Sequence, residues 1–188
     1  MILDCSSQSF LDQITWTGDE QYLRLVDVVA KETQYCSAVG VVRWIDLNCN
    51  YRGPMLHEGF QQECYQERSR YTLSLMMPED GPVREKYQEV VTHLKELEKT
   101  QVGRMKTRGV VQDGWSEGFV LKFEKPVFDE FFGEDIIRVW DKRGFRVLDD
   151  QVDEELENAL VKVTFTMTKT VGVRRDVVVA EPCRVDIL

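Results

Sequence analysis

Residues 70–97, RYTLSLMMPEDGPVREKYQEVVTHLKEL, change from a strand pattern to a helix pattern within one stretch of chain. Large apolar side chains alternate with Thr and Ser over Tyr71–Met77, which predicts a strand with one buried face. The segment Pro78–Pro82 ends this strand and begins a helix. Over Val83–Leu97 apolar residues form one helical face opposite a face of Glu and Lys, which predicts an amphipathic helix.

Further strands are predicted on both sides of this stretch. They cover Ala38–Ile45, Phe119–Phe123, Ile136–Trp140, Leu160–Met167 and the region Val177–Ile187. About six short strands with one long helix between strands two and three predict a mainly β, OB-fold-like small antiparallel barrel. An α+β sandwich, with the helix on one face of a sheet, is the alternative architecture.

The first 36 residues differ from the remainder. They are acidic, and the sequence Thr17–Glu20 before the apolar pattern Leu23–Val29 predicts a short N-terminal helical segment. We therefore divide the chain into an acidic, helical N-terminal extension, residues 1–36, and an OB-fold-like binding domain, residues 37–188. We expect the barrel to fold without residues 1–35, because the strand pattern begins at Ala38.

Charge is unevenly distributed along the chain, whose net charge is −9. Residues 126–159 hold eleven acids and four bases, whereas residues 102–125 and 160–188 each have a net charge of +2. A basic surface can coexist with an acidic total, because salt limits the field to about 10 Å. No apolar run approaches the roughly 20 residues of a membrane helix, so we expect a soluble cytoplasmic protein.

Motifs for metal binding or catalysis are missing from the sequence. The five cysteines include no CxxC pair, and the spacing of Cys49, His57 and Cys64 matches no common zinc site. Acidic pairs such as Asp149 with Asp150 could bind magnesium, but charge-dense stretches of this kind usually form solvated surface. We therefore predict a binding protein that is not an enzyme and needs no metal or cofactor.

Aromatic and basic residues are interleaved at several points. These residues are Arg43, Trp44, Tyr51, Arg52, Arg70, Lys122, Arg138 and Trp140. Single-stranded nucleic acids are bound in this way, because bases stack on aromatic rings while Lys and Arg contact the phosphates. Stacking tolerates RNA as well as DNA.

Two basic segments add to this set. Arg104, Lys106 and Arg108 alternate between two glycines with no acid among them, so an extended chain would direct all three to one side. We interpret this segment as a basic loop that closes on phosphates, with a plain solvated loop as the alternative. Arg174 and Arg175, in the final hairpin, are a weaker signal of the same kind.

The order of these elements resembles the single-stranded DNA-binding proteins of short-tailed (podovirus-type) bacteriophages. The similarity covers most of residues 69–188 and rests on RYTLSLMMP (70–78), FVLKF (119–123), IRVWDKRG (137–144) and LVKVTFTM (160–167). It implies an OB-fold protein that coats single-stranded DNA without sequence specificity during phage replication and recombination in the bacterial cytoplasm. The binding residues implied by the resemblance are Arg70, Lys122, Arg138, Trp140 and Lys162.

The resemblance also implies replication proteins as partners and a homo-oligomer as a possible state. Family members usually carry a long acidic C-terminal tail, which has no counterpart after residues 184–188, so residues 1–36 are a candidate for its role. The alternative function is a phage protein that binds and inhibits a host protein through its acidic surface, as an interaction protein or nucleic-acid mimic. A structural protein of the virion is a third possibility.

Overall fold

The computed structural model describes residues 1–46, 70–79, 81–99, 105–114, 118–126, 128–129, 133–134, 137–148 and 150–188. The strands before the long helix are β1 (Ile2–Asp4), β2 (Ile14–Gly18), β3 (Tyr22–Asp27), β4 (Tyr35–Asp46) and β5 (Arg70–Met76). The elements that follow are α1 (Gly81–Leu97), β6 (Met105–Arg108), β7 (Val111–Asp113), β8 (Phe119–Pro126), β9 (Phe128–Asp129), β10 (Gly133–Glu134), β11 (Arg138–Trp140), α2 (Val152–Leu156), β12 (Leu160–Val171) and β13 (Arg175–Ile187).

The main sheet has the strand order β11-β13-β12-β4-β5-β8-β7. Its central pairs are antiparallel, and the short strands β1, β6 and β11 each pair with a longer strand in parallel. The sheet curls into a half-barrel in which β8 approaches β13. This architecture confirms the predicted OB-like fold, with α1 between the predicted second and third strands, now β5 and β8.

The core fills the inside of the curl. On β12 the buried residues Val161, Val163, Phe165 and Met167 alternate with more polar neighbours, as predicted. The ring of Phe165 meets that of Phe123 on β8 edge to face, with 5.0 Å between centroids. The opposite side of the sheet, which we call the outer face, carries Lys162 and the threonines of β12.

Helix α1 closes the core through Tyr87. Its hydroxyl lies 2.8 Å from the carbonyl oxygen of Leu75 and 3.0 Å from that of Phe119, and it accepts a hydrogen bond from the amide of Leu121 at 3.2 Å. The ring packs on Gly40, where a Cβ would lie 3.0 Å from Cε2 of Tyr87. Helix α1 is thereby fixed to β4, β5 and β8 together.

The C-terminal end of α1 is held by side chains from distant parts of the chain. The indole Nε1 of Trp16 donates to the carbonyl of Leu97, and the ammonium of Lys169 donates to that of Lys99. These donors satisfy carbonyls that have no partner within the helix. The carboxylate of buried Glu98 accepts hydrogen bonds from the amides of Val110 and Val111, which connects the helix to β7.

The helix predicted near the N-terminus is replaced by a hairpin of β2 and β3. Asp19 resembles a helix cap in sequence, but its carboxylate accepts hydrogen bonds from the amides of Gln21 and Tyr22 and so forms the hairpin turn. The helical part of residues 1–36 is a 3-10 turn at Leu11–Gln13. Pairing of β3 with β12 extends the main sheet and favours the strand over the helix.

Residues 1–36 also pack into the common core. Phe10 and Leu25 are fully buried there, and β1 pairs with β4 in parallel. The division of the chain at residue 36 stays a prediction, and these contacts lead us to propose that both parts fold as one unit.

Both predicted turns near the C-terminal strands are present. Asp141 receives hydrogen bonds from the amides of Arg143 and Phe145, and Gly144 has a φ of 81°. The return strand is limited to a single bridge between Trp140 and Arg146. The other turn joins β12 to β13 in one long hairpin. Within the described ranges, no helix has both the length and the apolar character needed to span a membrane.

Candidate nucleic-acid interface

A β-bulge at Arg43 turns two predicted binding residues to the outer face. Val42 pairs with Leu75 and is buried, whereas the next pair is Trp44 with Ser74, so Arg43 is the extra residue. An extra residue in one strand re-aims the side chains that follow it. Both Arg43 and Trp44 are therefore exposed, and the exposed fraction of Trp44 is 63%.

Trp44 lies at one side of a groove on this face. The groove has a volume of about 440 Å³ and is lined by Arg43, Trp44, Thr72, Ser74, Gln112, Asp113, Val120 and Lys122. Trp44, Ser74 and Lys122 form one row across β4, β5 and β8. The structure thus brings together three of the predicted residues around short polar side chains that leave room for a flat ring.

The ammonium of Lys122 already has an anionic neighbour. It lies 2.8 Å from the Glu124 carboxylate, which is almost completely buried. The two residues are two positions apart on β8 and therefore share the outer face. A phosphate that binds Lys122 would compete with this ion pair, which limits the positive field of the groove.

Arg138, Trp140 and Lys162 lie on the outer face of neighbouring strands. Trp140 pairs with Asp186, which pairs with Lys162 on β12. The guanidinium of Arg184 lies over the Trp140 ring, 4.6 Å from its centroid, and is 2.6 Å from the Asp186 carboxylate. The hydrogen bond that Arg184 donates to the Asp186 carboxylate raises the pKa of the guanidinium.

The other predicted basic residues whose positions the structure describes lie outside the groove. Arg174 and Arg175 are exposed at the end of the β12–β13 hairpin, eleven residues along β12 from its start at Leu160. At about 3.3 Å per residue, this end lies roughly 36 Å along β12 from Leu160, which pairs with Val41 near Trp44. The predicted basic loop is a strand here, because Met105–Arg108 pairs with β13 at Arg175–Val177. The register shifts within this strand, so that Lys106 pairs with Asp176 and Arg108 with Val177, and the predicted alternation is not kept between these two residues.

Some predicted residues cannot be placed. Tyr51, Arg52 and Arg104 lie outside the described residues, as do Cys49, His57 and Cys64. Arg70, Lys106 and Arg108 are described as backbone in strands, without their side chains. In the described part of the chain, no group of three or more His, Cys, Asp or Glu residues could hold a metal ion.

Several groups of this face were not predicted from the sequence. Thr72, Ser74 and Gln112 line the groove, and Arg184 covers Trp140. Thr72 and Ser74 could have been found, because the alternation along β5 that buries Leu73 and Leu75 must direct them outward. Gln112 could not, since its position depends on the pairing of β7 with β8.

No family model matches the chain, and no curated protein matches it in sequence. Its fold is nevertheless that of phage single-stranded DNA-binding proteins. The structure of the single-stranded DNA-binding protein from bacteriophage Enc34 in complex with ssDNA aligns with a TM-score of 0.50 over 94% of this chain and 96% of that chain, at 11% identity. The Enc34 protein alone gives a TM-score of 0.50 over 93% and 88%, at 12% identity.

The solved structure of a second phage protein is also similar. It is gp2.5, a single-stranded DNA-binding protein encoded by bacteriophage T7, with a TM-score of 0.53 over 83% of this chain and 86% of that chain, at 12% identity. At these identities the likeness establishes the fold, and function must be argued from the groove.

Proposed function

We propose that this protein binds single-stranded DNA, without sequence specificity, in the groove of the outer face. The observation that carries the proposal is the exposed ring of Trp44 between Arg43 and Lys122. An indole that is 63% exposed on a strand contributes little to the core, and it offers a flat surface to a base. Stacking of one base on such a ring contributes about 1 to 3 kcal/mol.

The other groups of the face would hold the backbone of the strand. Arg43 and Lys122 would contact phosphates next to the stacked base, and Lys162 and Arg138 would extend the path across β12 and β11. None of these contacts reads a base edge, so the binding would tolerate any sequence. This arrangement supports a binding protein that is not an enzyme and needs no cofactor.

The setting we propose is phage DNA replication or recombination in the cytoplasm of a bacterial host. Two proteins whose solved structures share the fold, from bacteriophages Enc34 and T7, are single-stranded DNA-binding proteins, which supports this assignment. Replication proteins and further copies of the chain are the partners expected in that setting.

The test is a titration of fluorescently labelled oligothymidine, followed by anisotropy, at several salt concentrations. We expect Trp44→Ala to weaken binding about 5- to 150-fold with an unchanged salt slope, because a neutral ring is lost. Lys122→Ala should lower the slope of log affinity against log salt by about 0.7, because one phosphate contact is lost. Phe145→Ala is the control, since this ring is exposed in the Asp141 turn and does not line the groove.

Two results would contradict the proposal. The first is binding to duplex DNA as tight as to oligothymidine. The second is the absence of any binding, and in that case capture of a host protein by the wild-type chain would favour the acidic-surface alternative.

A further inference from the structure

The outer face continues beyond the groove and carries two more exposed aromatic rings. Tyr22 and Tyr35 have exposed fractions of 51% and 47%. With Arg24 they form a set that we call the tyrosine strip (Tyr22, Arg24 and Tyr35). The strip lies in the N-terminal segment, residues 1–36, where no binding residue is predicted from the sequence.

Strand pairing places the strip on the same face as Lys162. Thr168 and Thr170 of β12 lie two and three steps of strand alternation beyond Thr164, and all three share the side of Lys162. Thr168 pairs with Arg24 and Thr170 with Tyr22. Paired residues of antiparallel strands point to the same side, so both side chains leave the outer face.

Tyr35 belongs to the same row along the edge of β12. It is two positions before Ser37, which pairs with Thr164 on the outer face. Moving from Thr164 toward Thr170, β12 is therefore followed on one edge by Ser37, Tyr35, Arg24 and Tyr22 in turn. Steps of two residues separate neighbouring side chains by about 6.6 Å.

The exposed rings are not needed by the core beneath them. The neighbours of the strip that face inward, Leu25 and Cys36, are completely buried and already fill that side. The strip has a tyrosine ring at each end and Arg24 between them. This arrangement is suited to nucleobases that stack on the two rings while Arg24 contacts a phosphate between them. Glu181 pairs with Thr166 on the same face, so stacking should exceed charge in this region.

We propose that the tyrosine strip is a second contact region for single-stranded DNA, and this inference rests on the proposed function of the groove. The strand would run along β12 from Trp44 past Lys162 to Tyr22, over roughly 40 Å. Arg174 and Arg175, at the hairpin end near Tyr22, would contact the strand where it leaves the sheet.

The experiment compares two lengths of oligothymidine on the full chain. OB-fold sites cover about 4 to 16 nucleotides, so one oligomer of about 5 and one of about 20 nucleotides are suitable. We expect the double variant Tyr22→Ala/Tyr35→Ala to bind the long oligomer at least about 25-fold more weakly, from about fivefold for each ring. Its affinity for the short oligomer, which the groove alone can hold, should be unchanged.

Trp44→Ala should weaken binding of both lengths, and Phe145→Ala should weaken neither. Unchanged affinity of the double variant for the long oligomer, or equal loss for both lengths, would overturn the strip while leaving the groove intact. If the wild-type chain binds neither oligomer, the proposed function itself fails.

A second measurement does not depend on folding of the variant. The wild-type chain is irradiated with a long oligomer that contains 5-iodouracil, and the crosslinked peptides are located by mass spectrometry. Crosslinks at Tyr22 or Tyr35 together with Trp44 are expected. Crosslinks at Trp44 without any at either tyrosine would overturn the inference.

Discussion

Replacing Tyr87 by Phe tests how the long helix is attached to the strands that carry the groove. The hydroxyl has three backbone partners, the carbonyls of Leu75 and Phe119 and the amide of Leu121. A buried hydrogen-bond donor or acceptor that is left without its partner destabilises the fold by about 1 to 3 kcal/mol. For a chain of this length we therefore expect the melting temperature to fall by about 2 to 12 °C.

The effect should also depend on pH in a defined direction. Burial raises the pKa of Tyr87 well above its ordinary value of about 10. The folded state therefore keeps the proton while the unfolded state loses it, and the contribution of Tyr87 to stability is complete below pH 10 and falls as the pH rises further. The stability gap between wild type and Tyr87→Phe should shrink above pH 10, by about 1.4 kcal/mol per pH unit.

Urea unfolding at pH 7 and at several values from pH 9 to 11 measures both effects. Tyr22→Phe is the matched control, because it removes a half-exposed hydroxyl and should change the free energy of unfolding by less than about 0.5 kcal/mol. A cost of Tyr87→Phe no larger than that of Tyr22→Phe, or a gap that is constant across pH, would refute the argument.

Three further predictions concern the packing and charge of the same region. Gly40→Ala should destabilise the fold by about 1 to 3 kcal/mol in urea unfolding, because its Cβ would lie 2.9 Å from that of Leu75; full stability would contradict this close approach. Glu124→Gln should tighten oligothymidine binding, because Lys122 would no longer exchange a carboxylate partner for a phosphate, whereas an unchanged affinity would mean that this ion pair does not compete with the DNA. Deletion of residues 1–35 should abolish the cooperative thermal transition followed by circular dichroism, because buried core residues are lost; a retained transition would support independent folding of residues 37–188.

Elements with one unambiguous period were predictable from the sequence. The alternation along β12 fits a strand but not a helix, and the single apolar face of α1 fits a helix but not a strand. For these two elements the local sequence was therefore sufficient. The segment Leu23–Val29 fits both periods, and Asp19 suits either a helix cap or a turn. Its choice of strand depends on pairing with β12, which is more than 140 residues away in sequence and leaves no local signal.

The types of residue at the candidate site could be predicted from the sequence, but their arrangement in space could not. The interleaved basic and aromatic residues include Trp44 and Lys122, which line the groove, but nothing in the sequence distinguishes them from Arg174 at the far end of the hairpin. That separation follows from strand register. The ion pair of Lys122 with Glu124 could have been predicted, because a spacing of two on a strand places both on one face.

The bulge at Arg43 determines on which face of the sheet the following side chains of β4 lie, including that of Trp44. If the strand alternated simply after Val42, with no bulge, the indole of Trp44 would point toward the core and Ile45 toward water. The same amino acids, in the same order, would then present an aliphatic surface where a ring now stands. In this segment the register of strand pairing determines what the surface can hold as much as the identity of its residues does.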